Sequence, residues 1–158
     1  MLTNFNRDLA KAKTAEQIAL NVLSSYYDGW LLEDVSNDRE CFYKGDIKAI
    51  YPCGNVQYIE VKDDSRIADT KNILCEECNY IKDGDYFIKG NMSGSGDLYV
   101  IVSQQERKLY ILDYKRLREI YTKGDYKIIQ HPQQVTYCYL LELCRAKQWG
   151  ALIEVITY

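Results

Sequence analysis

No run of apolar residues in the 158-residue chain approaches the roughly 20 needed to cross a bilayer. The opening Met1-Leu2-Thr3-Asn4 also lacks a secretory signal's basic-then-apolar order, so a cytoplasmic protein is expected. Excess positive charge is missing too. Twenty Lys and Arg stand against 23 Asp and Glu, for a net charge of −3, which excludes a protein that coats nucleic acid by charge alone. A contact through one basic face stays open. There is no internal repeat, low-complexity tract or linker, so residues 1–158 read as a single domain long enough to bury a core. Histidine is nearly absent: His131 stands alone. Six cysteines (41, 53, 75, 78, 138 and 144) in a chain read as non-secreted are expected to stay reduced.

Cys75-Glu-Glu-Cys78 has metal-ligand spacing, but zinc would need two further ligands. Cys138 and Cys144 lie on an expected helix, about 240° apart around it, and so face different ways. Buried thiols acting as small apolar side chains are the preferred reading.

What the chain does have is aromatic, strand-like alternation, with 15 tyrosines among it. Thr14-Ala15-Glu16-Gln17 fits a capping box, and Ile18, Ala19, Val22, Leu23 and Tyr26 mark one apolar face, predicting a helix over 14–27. An earlier turn or short helix fits residues 2–12. Residues 30–35 read as a strand. Residues 42–51 and 56–62 read as an antiparallel hairpin closed by Pro52-Cys53-Gly54-Asn55. Residues 72–80 suit a strand or a short helix equally. Residues 98–102 and 108–113 make a second hairpin, 114–122 a helix, 126–129 a short strand, 133–148 a helix and 152–156 a last strand. The expectation is a mixed α/β domain with a helix first, an antiparallel meander next, and C-terminal helices covering it.

The first hairpin carries the chemistry. Asp46 opens one strand; Glu60 and Lys62 close its neighbour, and an antiparallel pairing brings those positions to one edge of the sheet. Glu60 and Lys62 are two apart and share a face, while Ile59 and Val61 mark the buried one. Two carboxylates suit Mg²⁺ (or Mn²⁺), which takes one or two of them and keeps waters and phosphate oxygens. The Val61 carbonyl is expected to face the same ion. Such an ion activates water and neutralises charge on a phosphate, and Lys62 adds a fixed positive charge to hold water and an anionic transition state.

"GDI" at Asp46 and "IEVK" at Glu60 and Lys62, after an N-terminal helix, resemble the PD-(D/E)xK nuclease superfamily, and in particular small phage or prophage-type members. The resemblance spans about residues 14 to 121. It implies a restriction-endonuclease-like mixed β-sheet and hydrolysis of DNA phosphodiester bonds, in the manner of an endonuclease. It assigns Asp46, Glu60 and Lys62 to catalysis and gives Glu16 the part of the helix-borne glutamate. The stretch "DDSRIADTKNI" is similar to a substrate-facing loop, which would give Ser65, Arg66, Thr70 and Asn72 phosphate or sugar contacts. One small domain reaches one strand, so cutting a duplex implies a homodimer, by analogy. The chain departs from the pattern in having no proline before Asp46 and no long helix after the triplet.

Each residue also has a plainer reading. Acid-x-Lys arises on solvated strand faces by alternation alone. Glu16 fits a glutamate favoured by the dipole of a helix start. Asp63 and Asp64 fit loop solvation, and Arg66 and Lys71 ordinary surface charge. The rival function is a non-catalytic adaptor of the same fold that binds nucleic acid or protein, which the acidic balance suits.

Overall fold

The computed structural model describes residues 2–158, with side chains from Leu9 onward. Helix α1 (Leu2–Tyr26) is followed by strands β1 (Leu31–Asp34), β2 (Ile47–Ile50) and β3 (Val56–Asp63), then the single turn α2 (Ile67–Thr70). Strands β4 (Asn72–Ile81) and β5 (Tyr86–Lys89) precede β6 (Leu98–Ser103) and β7 (Lys108–Asp113). The chain ends with α3 (Tyr114–Ile120), β8 (Asp125–Gln130), β9 (Gln134–Glu142), α4 (Leu143–Gln148) and β10 (Leu152–Thr157). Among the described residues no helix is long and apolar enough to cross a membrane.

Two sheets form. The first runs β1-β2-β3-β6-β7-β10 and is antiparallel except where β3 lies parallel to β6. The second is an antiparallel sheet in the order β5-β4-β9-β8. The central strands β6 and β7 read as unbroken apolar runs because both their faces are covered. Alternation then sorts their side chains. Val100, Val102, Leu109 and Ile111 join Ile47, Ile59 and Val61 under Ala15, Ala19 and Leu23 of α1. Tyr99, Ile101, Tyr110 and Leu112 face the other way, against Ile73, Cys75 and Leu141 of the second sheet and Leu117 and Ile120 of α3. The mixed α/β class is as expected, and the second sheet covers the face for which the sequence offered no long helix.

Three expectations need correction. The helix starts at Leu2, not at Thr14, and the Thr14 hydroxyl bonds back to the Ala10 carbonyl at 2.9 Å, as threonine does inside a helix. The first hairpin's opening strand is only Ile47–Ile50, because residues 40–44 form turns ahead of it. The helix expected over 133–148 is mostly strand: β9 pairs with β4 from Gln134↔Ile81 to Glu142↔Asn72, and only Leu143–Gln148 is helical. Cys138 and Cys144 therefore lie on different elements, not on one helix. The same pairing settles residues 72–80 as strand.

Candidate functional site

The site begins where β2 and β3 part. Their ladder runs from Ile50↔Val56 to Ile47↔Ile59. One residue beyond it, the Asp46 amide donates to the Ile59 carbonyl at 2.8 Å, and the Asp46 carboxylate accepts the Val61 N–H at 2.8 Å. On the other side the Asp46 carbonyl accepts the Val35 N–H at 2.9 Å. Asp46 is thus fixed by backbone on two flanks and by its own side chain on a third. Gly45 makes the approach close enough. Its φ is +152°, and a Cβ there would lie 2.6 Å from the Ile59 oxygen. Since a strand residue's N–H and C=O point to the same side, the Val61 carbonyl also faces this edge, past the end of β2.

On β3, Ile59 and Val61 are buried beneath α1 as expected, and Glu60 and Lys62 project from the opposite face. The Lys62 ammonium lies 2.6 Å from a Glu60 carboxylate oxygen. Three clefts meet at Lys62. One, of about 500 Å³, lies beside α1 and is lined by Glu16, Asp46, Val61 and Ser65. A second, of about 620 Å³, is lined by Glu60, Glu76, Phe42 and Tyr43. A third, of about 260 Å³, is lined by Ser65, Arg66 and Glu76. Asp46 and Glu60 open into different clefts and are joined by the lysine that lines both.

The electrostatics tie these groups together. Burial, then the Glu60 charge, push the Asp46 carboxyl up from 3.8 to about 6; the Val61 N–H and Lys62 oppose this, and Glu16 adds to it. Burial works against the Lys62 ammonium, but Glu60 in contact, with Asp46 and Glu76 nearby, lifts its pKa above the ordinary lysine value. Lys62 is therefore charged at neutral pH. It acts as a fixed cation, not a ready base.

Glu16 is only 8% exposed and lines the cleft with Asp46. It pairs with Lys13 at 2.8 Å, and Lys13 also donates to the Ser36 hydroxyl. It stands well inside α1, so the helix-start explanation for it fails. Of the loop residues, Ser65 and Arg66 line clefts that include Lys62. Thr70 and Asn72 line a separate small hollow that also includes Arg66. The Thr70 hydroxyl is engaged locally, donating to the Arg66 carbonyl at 2.9 Å and accepting the Asn72 N–H at 3.3 Å. Asp64 accepts the Arg66 N–H at 2.9 Å, and Asp63 accepts from Gln104 at 3.1 Å.

Sequence reasoning missed Glu76. It sits on β4 of the second sheet, 16 residues after Glu60, where no local spacing links the two. Its backbone N–H donates to the Asn91 side chain at 2.7 Å. Asn91 in turn donates to the Leu74 carbonyl at 3.1 Å and the Tyr99 hydroxyl at 2.9 Å, holding β4 against the site. Its one local signal is its place between Cys75, which is buried, and Cys78. Among the described residues, no three His, Cys, Asp or Glu side chains gather closely enough to hold a metal by themselves. A cation here would rest on two carboxylates, the Val61 carbonyl and water.

No protein-family model and no curated protein sequence matches the chain. Among solved structures, the fold is similar to that of a bacterial homing endonuclease, I-Ssp6803I, with a TM-score of 0.52 at 13% sequence identity, over 80% of this chain and 75% of that one. The chain shares a nuclease's fold.

Proposed function

We propose that the protein is a metal-dependent nuclease that hydrolyses DNA phosphodiester bonds, acting as an endonuclease of PD-(D/E)xK type. The observation that carries this reading is that Asp46 and Glu60 line two clefts joined by a charged Lys62, which pairs with Glu60, at the parting of β2 and β3. Burial first and the Glu60 charge second hold the Asp46 carboxyl up, and a dication bound there would offset both. Asp46, Glu60 and the Val61 carbonyl are the groups that would hold Mg²⁺ or Mn²⁺, and oxygen ligands with open positions suit it. When bound, the ion supplies an acidified water and a counter-charge to the phosphate.

The protein's own residues do the rest. The Lys62 ammonium would face the negative charge that builds on the phosphate oxygens, and its raised pKa keeps it charged. Glu16 reinforces the negative field at Asp46 from the α1 side. Ser65 and Arg66, on the same clefts, offer a hydroxyl and a guanidinium to neighbouring backbone phosphates. Thr70 and Asn72 belong to this reading through Arg66, as an extension of the strand's path. Where the substrate is a duplex, two copies would supply the two cuts.

The test is cleavage of supercoiled plasmid and of a single-stranded DNA circle in Mg²⁺ or Mn²⁺. Lys62→Ala is expected to slow cleavage by about a hundred-fold or more. Equal rates in variant and wild type would overturn the assignment. The net charge of −3 is the one observation favouring a non-catalytic adaptor, which would leave plasmid uncut under every metal condition.

A further inference from the structure

The cleft of about 620 Å³ beside Glu60 has an unexpected wall. Phe42 and Tyr43 are 73% and 67% exposed, far more than large aromatic rings in a turn need be. They line the same cleft as Glu60 and Lys62. Their ring centroids are 5.1 Å apart, with planes at 87°.

Nor does the turn that bears them hang loose. The Cys41 carbonyl accepts the Lys44 and Gly45 N–H groups at 2.7 and 3.2 Å, and Cys41 itself is buried. The Tyr43 carbonyl accepts both the Ser95 N–H and its hydroxyl, at 2.8 and 2.9 Å. The backbone is thus pinned to the 93–96 turn while the rings project into the cleft mouth. Asp46 follows Phe42 by four residues, so chain length alone holds their Cα atoms within roughly 14 Å.

We infer that Phe42 and Tyr43 form a stacking platform for bases, and that the substrate is a polynucleotide unstacked at the point of cleavage: a single strand, a flap or a frayed end. The inference rests on the nuclease reading for where the cut phosphate lies. Its own support is separate. In duplex DNA the base faces are covered by their neighbours, so exposed rings gain energy from bases only where those faces are free. A protein of net charge −3 collects little non-specific duplex affinity from counterion release. Stacking supplies affinity without that charge, at about 1–3 kcal/mol per base. The cleft, about 620 Å³, lies within the range that accepts small ligands the size of a nucleotide. Lys89 lines the same cleft and offers positive charge for the backbone.

The experiment measures binding and hydrolysis separately. Binding is read by fluorescence anisotropy in EDTA, with a short labelled single strand and a hairpin duplex of matching sequence. Wild type is expected to prefer the single strand. The Phe42→Ala/Tyr43→Ala double variant should lose about ten-fold or more of that affinity while its duplex affinity stays as it was. The Phe42→Tyr/Tyr43→Phe swap keeps both rings and should bind as wild type does. A preference for duplex, or an equal loss on both probes, would overturn the inference. So would unchanged DNA binding with altered sedimentation of the alanine variant, which would make the rings a contact between copies of the chain. Hydrolysis of bis(p-nitrophenyl) phosphate by wild type in Mg²⁺ reports on the nuclease reading alone. If it is absent while binding depends on the rings, the nuclease falls and the platform stands; the reverse pattern removes the platform only.

Discussion

Replacing Asp46 by Asn should stabilise the metal-free protein. In the fold its carboxyl is raised from 3.8 to about 6, by burial first and by Glu60 second, so holding it ionised costs about 3 kcal/mol at pH 8. Asn is neutral and keeps a side-chain oxygen for the Val61 N–H, so the variant is expected to gain up to that amount. The pH dependence has a definite sign. Between about pH 4 and 6 the folded state binds more protons at this position than the unfolded state, so wild-type stability falls as pH rises through that window and levels off above it. The variant lacks this contribution. Its advantage is expected to be about half as large at pH 5 as at pH 8, and mostly gone by pH 4. Urea denaturation of both proteins at the three pH values reads this directly. If Asp46→Asn is the less stable protein at pH 8, the carboxylate is a net stabilising group and the reasoning from burial and the Glu60 charge is wrong.

Gly45→Ala sets a Cβ against the Ile59 carbonyl at a φ of +152°, and should lower stability by at least about 2 kcal/mol, read as a drop in the urea midpoint. Cys53 and Cys144 are exposed, so a thiol reagent should label these two quickly in the native protein, with the partly exposed Cys78 slower. Cys41, Cys75 and Cys138 should label only on unfolding; burial pushes the Cys75 thiol up to about 12.

The hairpin was legible because its information is local. Ile47–Ile50 and Val56–Asp63 alternate, and Pro52 to Asn55 can only turn between them. Strand geometry brings Asp46, Glu60 and Lys62 to one edge of the sheet, but does not reveal that Asp46 and Glu60 open into different clefts. What was not legible depends on partners distant in sequence. In "QVTYCYLLELCRAKQ" the alternation of Val135, Tyr137, Tyr139 and Leu141 coexists with helix-forming residues, and the ladder to β4 decides in favour of strand. Glu76 reaches the site because the shared core and the Asn91 side chain, bonded to Glu76, Leu74 and Tyr99, hold β4 against the first sheet. Thr14 to Gln17 carries a cap's composition inside a helix that had already begun, so a pattern alone mislaid both the helix start and the setting of Glu16.

In the proposed function, Asp46 and Glu60 hold one dication beside Lys62. Calorimetric titration of the wild-type chain with Mn²⁺, repeated on Asp46→Asn and Glu60→Gln, tests it most directly. One site per chain is expected in wild type, and its loss in each variant. Undiminished Mn²⁺ binding in either variant, or none in wild type, would contradict it.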